Sequence, residues 1–114
     1  MLGRLGRLDE AIIQFQETIR INPSAADAYN NLGVTLDRLG RSKEAINQYQ
    51  QAIRVQPDFA RAHFNLGVVL AGAGRLSEAG QQFEAALRLK PDYAEAQTNL
   101  SMIRLLMSAP GGKP

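Results

Sequence analysis

The chain repeats itself every 34 residues, and few folds are compatible with that period. Pro23, Pro57 and Pro91 each close an apolar stretch at this interval. Glu10-Ala11, Glu44-Ala45 and Glu78-Ala79 share the spacing, as do Leu5-Gly6-Arg7, Leu39-Gly40-Arg41 and Ala73-Gly74-Arg75. Asn31-Leu32-Gly33-Val34 returns unchanged as Asn65-Leu66-Gly67-Val68, and more loosely as Asn99-Leu100-Ser101-Met102. So many separate features in one register do not arise by chance. A repeat of this length is one supersecondary unit, which buries its apolar face only by packing on a neighbour.

Within a unit the apolar spacing reads as two helices. In the second unit, Ala28, Leu32, Leu36 and Leu39 recur three and four apart, which predicts a helix over Ala26–Leu39. Gly40-Arg41 breaks it. Ala45, Ile46, Tyr49, Ala52 and Ile53 share the apolar face of a following helix over Ser42–Val55. Pro57 then stops the chain, because proline lacks an N–H donor and clashes with the preceding turn. Asp58 is expected to cap the next helix, and Ser24-x-x-Asp27 and Asp92-x-x-Glu95 resemble the capping box. Gly33 and Gly67 on the first helix, and Ala45 and Ala79 on the second, are small enough for two backbones to approach closely while Tyr49 and Phe83 fill the adjacent space. Gly72 and Gly74 at one helix end, with Gly80 inside the next, mark the third unit as the softest, since a helical glycine costs about 1 kcal/mol relative to alanine.

A 34-residue unit carrying Leu32-Gly33, Ala45, Tyr49, Ala52 and Pro57 in this order resembles the tetratricopeptide repeat. The next unit matches with Leu66-Gly67, Ala79, Phe83, Ala86 and Pro91. The first matches only in its second half, with Gly6, Ala11, Phe15 and Pro23, and has Thr18 where the family prefers alanine. The resemblance implies an all-α fold, a right-handed superhelical solenoid of antiparallel helix pairs with about six helices. The register divides the array into a partial repeat over 1–25 (second helix only), repeats over 26–59 and 60–93, and a closing helix over 94–107. The tail over 108–114, Ser108-Ala109-Pro110-Gly111-Gly112-Lys113-Pro114, is expected to be disordered.

The ends stand out. The opening helix, about Leu8 to Ile21, has no first helix before it, so Ala11, Phe15 and Ile19 lack their usual cover and form a candidate self-association face. At the other end, Leu105, Leu106 and Met107 are consecutive apolar residues that one helix face cannot bury together.

In this family the first helices line a concave wall. By resemblance, that wall takes Asp27, Asn30, Asn31, Val34 and Arg38 from the second unit, Arg61, Phe64, Asn65, Val68 and Gly72 from the third, and Glu95, Thr98, Asn99 and Met102 from the last helix. Asn31, Asn65 and Asn99 are equivalent positions. A carboxamide both donates and accepts, so a row of them can hold the amide groups of an extended peptide with little regard for its side chains. The row is similar to the asparagine ladder of the O-linked N-acetylglucosamine transferase repeats. The same asparagines can equally tie one helix to its neighbour, and the two roles are compatible. The clamp that other members use for chaperone C-terminal carboxylates is not expected. Its positions here hold Asn30, Val34, Phe64 and Val68, which lack most of the clamp's polar groups.

Composition narrows the function further. The formal charge is only +2 and basic residues alternate with acidic ones, so no nucleic-acid partner is expected. Cysteine is absent and His63 is the single histidine, which argues against thiolate or histidine metal sites and against a cysteine nucleophile. Glu10, Glu44 and Glu78 fall at the start of each second helix, where a negative charge suits the helix dipole. No apolar run approaches membrane-spanning length and no signal segment is evident, so the expected location is cytoplasmic, with no membrane partner. The expectation is therefore a non-catalytic module without cofactor or metal that binds a protein or peptide. Asn31, Asn65, Asn99, Asp27, Asn30, Arg38, Arg61 and Phe64 are its candidate contacts. Two alternatives stand beside it: a self-associating scaffold, forming a homodimer through the uncovered first helix, and a substrate-recruiting fragment of a larger enzyme such as a glycosyltransferase.

Overall fold

The computed structural model describes residues 4–108, with side chains from Gly6 onward. The described chain is all-α: α1 (Arg4–Ile21), α2 (Ala26–Arg38), α3 (Ser42–Val55), α4 (Ala60–Gly72), α5 (Leu76–Leu89) and α6 (Ala94–Ser108). It divides into two compact units, Met1–Pro57 with α1 to α3 and Asp58–Pro114 with α4 to α6. In each unit the central element is a tight helical hairpin, α2 with α3 and α4 with α5.

The hairpin turn has the same construction twice. Gly40 and Gly74 adopt φ of 78° and 81°, a left-handed conformation open to glycine at little cost. The Gly40 N–H donates to the Asp37 carbonyl and the Arg41 N–H to the Leu36 carbonyl, both at 2.9 Å. Gly74 and Arg75 repeat this on Ala71 and Leu70 at 3.0 and 2.9 Å. These bonds satisfy carbonyls that the end of a helix otherwise leaves without donors. Arg41 and Arg75 then reach forward as forks to Glu44 and Glu78, with distances of 2.6 and 2.7 Å in the first pair and 2.7 and 2.8 Å in the second. Each fork spans the first turn of the second helix. The guanidinium holds the glutamate carboxyl below its ordinary range, and the glutamate raises the guanidinium in return.

Inside the hairpin, glycine sets the helix separation. A Cβ placed on Gly33 would lie 2.6 Å from Tyr49 Cε1, and one on Gly67 the same distance from Phe83 Cε1. Carbon atoms pack at about 3.5–4.0 Å, so only glycine admits these rings. Ala45, Ala52, Ala79 and Ala86 are completely buried on the opposing helices. Tyr49 and Phe83 are 2% and 1% exposed, and burial pushes the Tyr49 phenol well above its ordinary range.

Several boundaries differ from those read in the sequence. Helix α1 starts at Arg4 rather than near Leu8, α2 stops one residue before Leu39, and α6 extends through Ser108. The rest of the 108–114 tail lies outside the described residues. The expected caps do not form as drawn. The residue before α2 is Ala25 and the residue before α4 is Phe59, neither with a side-chain cap bond. Ser24 and Asp58 therefore stand one position too early. The turn instead brings in an apolar residue: Phe59 is half-buried, and Tyr93, at the same place before α6, is buried. Packing of that side chain outweighs a polar cap worth about 1 kcal/mol.

Candidate functional site

Residues spaced four, then three, then four apart share one helix face. On α4 this stripe is Arg61, Asn65, Val68 and Gly72; on α6 it is Glu95, Asn99, Met102 and Leu106. Both helices lie in the second unit. The stripes run from a charged end at Arg61 and Glu95, through the asparagines, to an apolar end where Val68, Met102 and Leu106 are exposed. At that end, between α4, α5 and α6, lies a cavity of about 220 Å³ lined by Val68, Ala71, Leu76, Phe83, Asn99, Met102, Ile103 and Leu106. Asn99 supplies its only carboxamide, and no lining residue is ionisable. In the first unit, α2 carries the equivalent stripe of Asp27, Asn31, Val34 and Arg38, in which all but the half-buried Val34 are exposed.

The candidate residues are not equivalent in their surroundings. Asn31 is exposed and Asn99 half-buried, whereas Asn65, also half-buried, has an interaction partner. Among the described residues, the Asn99 side chain has no hydrogen-bond partner. Asn30 and Phe64 were expected on the wall and are buried instead. Phe64 packs its ring 5.8 Å from that of Phe83 and 5.1 Å from that of Tyr93. It lies one residue before Asn65, so when Asn65 faces outward Phe64 is turned about 100° toward the aromatic cluster. Ala11, Phe15 and Ile19 on α1 are half-buried. Their counterparts Ala45 and Tyr49 on α3 are almost fully buried.

Around the charged end, Arg61 sits 5.6 Å and the Lys90 ammonium 4.8 Å from the Tyr93 ring centre, within the range of cation–π attraction. Burial pushes the Tyr93 phenol up, and the Arg61 charge partly opposes this. Among the described residues the buried Tyr93 hydroxyl has no hydrogen-bond partner. His63 is half-buried, its Nδ1 lying 2.8 Å from Gln82 Oε1; it joins α4 to α5 as a packing residue. Among the described residues no group of three His, Cys, Asp or Glu side chains could hold a metal ion. No helix there is long and apolar enough to cross a membrane.

The cavity is the feature that reading the sequence missed. Val68, Asn99 and Met102 were placed on the wall, but nothing marked a hollow behind them. One signal was present: Leu76 stands where the second unit has Ser42, an apolar residue at a position that need not be one.

Two sequence profiles described as tetratricopeptide repeat match the chain, over residues 1–58 and 35–94. The chain belongs to the tetratricopeptide repeat family. No curated protein matches it. Solved structures share the fold. The first such domain of Spaghetti (RPAP3), bound to the HSP90 peptide SRMEEVD, is 23% identical with a TM-score of 0.87, over 91% of this chain and 82% of that one. The second domain of human RPAP3, in complex with the HSP70 peptide SGPTIEEVD, is 28% identical with a TM-score of 0.81, over 87% and 82%. An O-GlcNAc transferase mutant of Thermobaculum terrenum is 25% identical with a TM-score of 0.76, over 96% of this chain but 24% of that one.

Proposed function

We propose that the chain is a protein-interaction module that binds an extended peptide on the faces of its first helices. The observation that carries this is the pair of stripes on α4 and α6, Arg61, Asn65 and Val68 on the one and Glu95, Asn99 and Met102 on the other, with Val68, Asn99 and Met102 lining one cavity. Such a face offers amide groups for a peptide main chain in the middle, opposite charges at one end and apolar surface at the other. Asp27, Asn31 and Arg38 give α2 the same character. The likeness to a human domain solved with a peptide supports the reading. The peptide class differs, however, because Val34, Phe64 and Val68 stand where a carboxylate clamp needs polar groups.

Asparagine is the discriminating residue. Peptides selected from a random display library on the parent chain are expected to bind Asn31→Ala, Asn65→Ala and Asn99→Ala variants more weakly, each by several-fold, as loss of one or two hydrogen bonds predicts. Unchanged affinity in the triple variant would remove the asparagines from the site, and a selection that enriches nothing would remove the function.

A second reading, self-association through α1, has its own support: the positions of Ala11 and Phe15 are half-buried on α1 but almost fully buried on α3 and α5. A mass that rises with concentration in light scattering and is held at the monomer value by Phe15→Glu would establish it; a concentration-independent monomer mass would remove it. The third reading, a recruiting segment of a larger enzyme, rests on the likeness to the transferase repeats and is tested by the sequence encoded on either side.

A further inference from the structure

We infer that the cavity between α4, α5 and α6 is a side-chain subsite, filled by one Leu, Met or Phe of a bound extended peptide whose main chain bonds to Asn99. The inference deepens the peptide-binding reading and rests on it. At about 220 Å³, the cavity is smaller than the roughly 300–1,000 Å³ of pockets that take drug-sized molecules. It is larger than an engineered apolar cavity of about 150 Å³ that holds benzene. Its size therefore suits one large side chain. Its floor is the buried Phe83 and Ile103, and its rim the exposed Val68, Met102 and Leu106. A charged side chain would lose its hydration there with no partner in return, whereas an apolar one gains from leaving water. Met102, flexible and polarisable, adjusts the rim to differently shaped occupants.

Asn99 decides between an extended peptide and a helix. Its carboxamide stands at this cavity without a hydrogen-bond partner among the described residues, so both its donor and its acceptor are available. An extended segment presents main-chain N–H and C=O groups that match it. A helix has already bonded those groups internally, and among the described residues the exposed large apolar side chains, Ile13 and Leu105 among them, lie on helices. An extended peptide thus satisfies the cavity and the carboxamide together.

Two variants test this. Ala71→Leu narrows the cavity from the α4 wall with a residue that favours helix, and Met102→Glu places a charge at an exposed rim position. Peptides selected from the random library are expected to share a Leu, Met or Phe. They should lose tenfold or more in affinity toward either variant, the order expected for burying one such side chain, while far-UV circular dichroism and melting of Met102→Glu stay those of the parent. Selected peptides that share no such residue, or that bind both variants unchanged, overturn the subsite and leave the peptide-binding reading standing. A selection that yields no binder removes both. A parent dimer in light scattering that Met102→Glu alone dissociates would assign the cavity to a second copy and overturn the inference as well.

Discussion

Replacing Gly67 by alanine and Gly80 by alanine should change stability in opposite directions, although both glycines are buried in helices of one unit. At Gly67 the new Cβ would lie 2.6, 2.9 and 3.0 Å from three carbons of the Phe83 ring, well inside the roughly 3.5–4.0 Å at which carbons pack. The ring has little room to retreat, being 1% exposed and backed by Phe64. Overpacking of this kind costs about 1–3 kcal/mol. With three contacts this short the cost belongs to the upper part of that range, about 2–3 kcal/mol; the better helix propensity of alanine returns about 1 kcal/mol, leaving a net loss of about 1–2 kcal/mol. At Gly80 the nearest atoms are Ile103 Cγ2 at 3.5 Å and Leu100 Cδ1 at 3.8 Å, ordinary contact distances. There the propensity gain stands alone, about 1 kcal/mol of stabilisation. Urea denaturation followed by circular dichroism should therefore place the two midpoints on either side of the parent's. Combining Gly67→Ala with Phe83→Leu should recover part of the loss, since neighbours in contact couple by about 0.5–3 kcal/mol. If Gly67→Ala is as stable as the parent, or the double variant shows only the sum of its parts, the close-approach argument is wrong.

Two further perturbations test the packing and the turns. Tyr93→Phe removes a hydroxyl that is buried without a partner and keeps the ring against Phe64 and the two cations, so it should raise stability by about 1 kcal/mol; a lower denaturation midpoint would show that the hydroxyl is bonded in solution. The Glu44 and Glu78 carboxyls are held below their ordinary range by Arg41 and Arg75, so their contribution is present above the ordinary glutamate pKa of about 4.3 and is lost as pH falls below it. Both pairs are exposed and the effect is small. The loss of stability between pH 7 and pH 3 should be smaller in Arg41→Gln/Arg75→Gln than in the parent, and an equal loss in both would count against the pairing.

The repeat was legible because its signals are local and recur. Gly40 and Gly74 end their helices wherever the hairpin packs, since a left-handed residue followed by two backbone bonds needs nothing from elsewhere. Gly33 facing Tyr49 was likewise readable, because the fixed interval between them sets the two residues opposite each other across a short turn. The caps misled for the same kind of reason. A polar residue directly after proline, as Ser24, Asp58 and Asp92 are, looks like a cap in any local reading, and only the tertiary packing of Phe59 and Tyr93 shows that an apolar anchor takes the next place.

From its sequence alone, this protein was determined to be a helical repeat of known period, with glycine-ended hairpins and a row of equivalent asparagines. These follow from bonds and spacings within one unit. The tertiary structure decided which of those asparagines keep their amides available, that Asn30 and Phe64 are buried, and that a hollow opens beside Asn99. Each of these depends on how side chains from three helices fill a shared space, and equivalent positions in successive repeats differ there because their neighbours do.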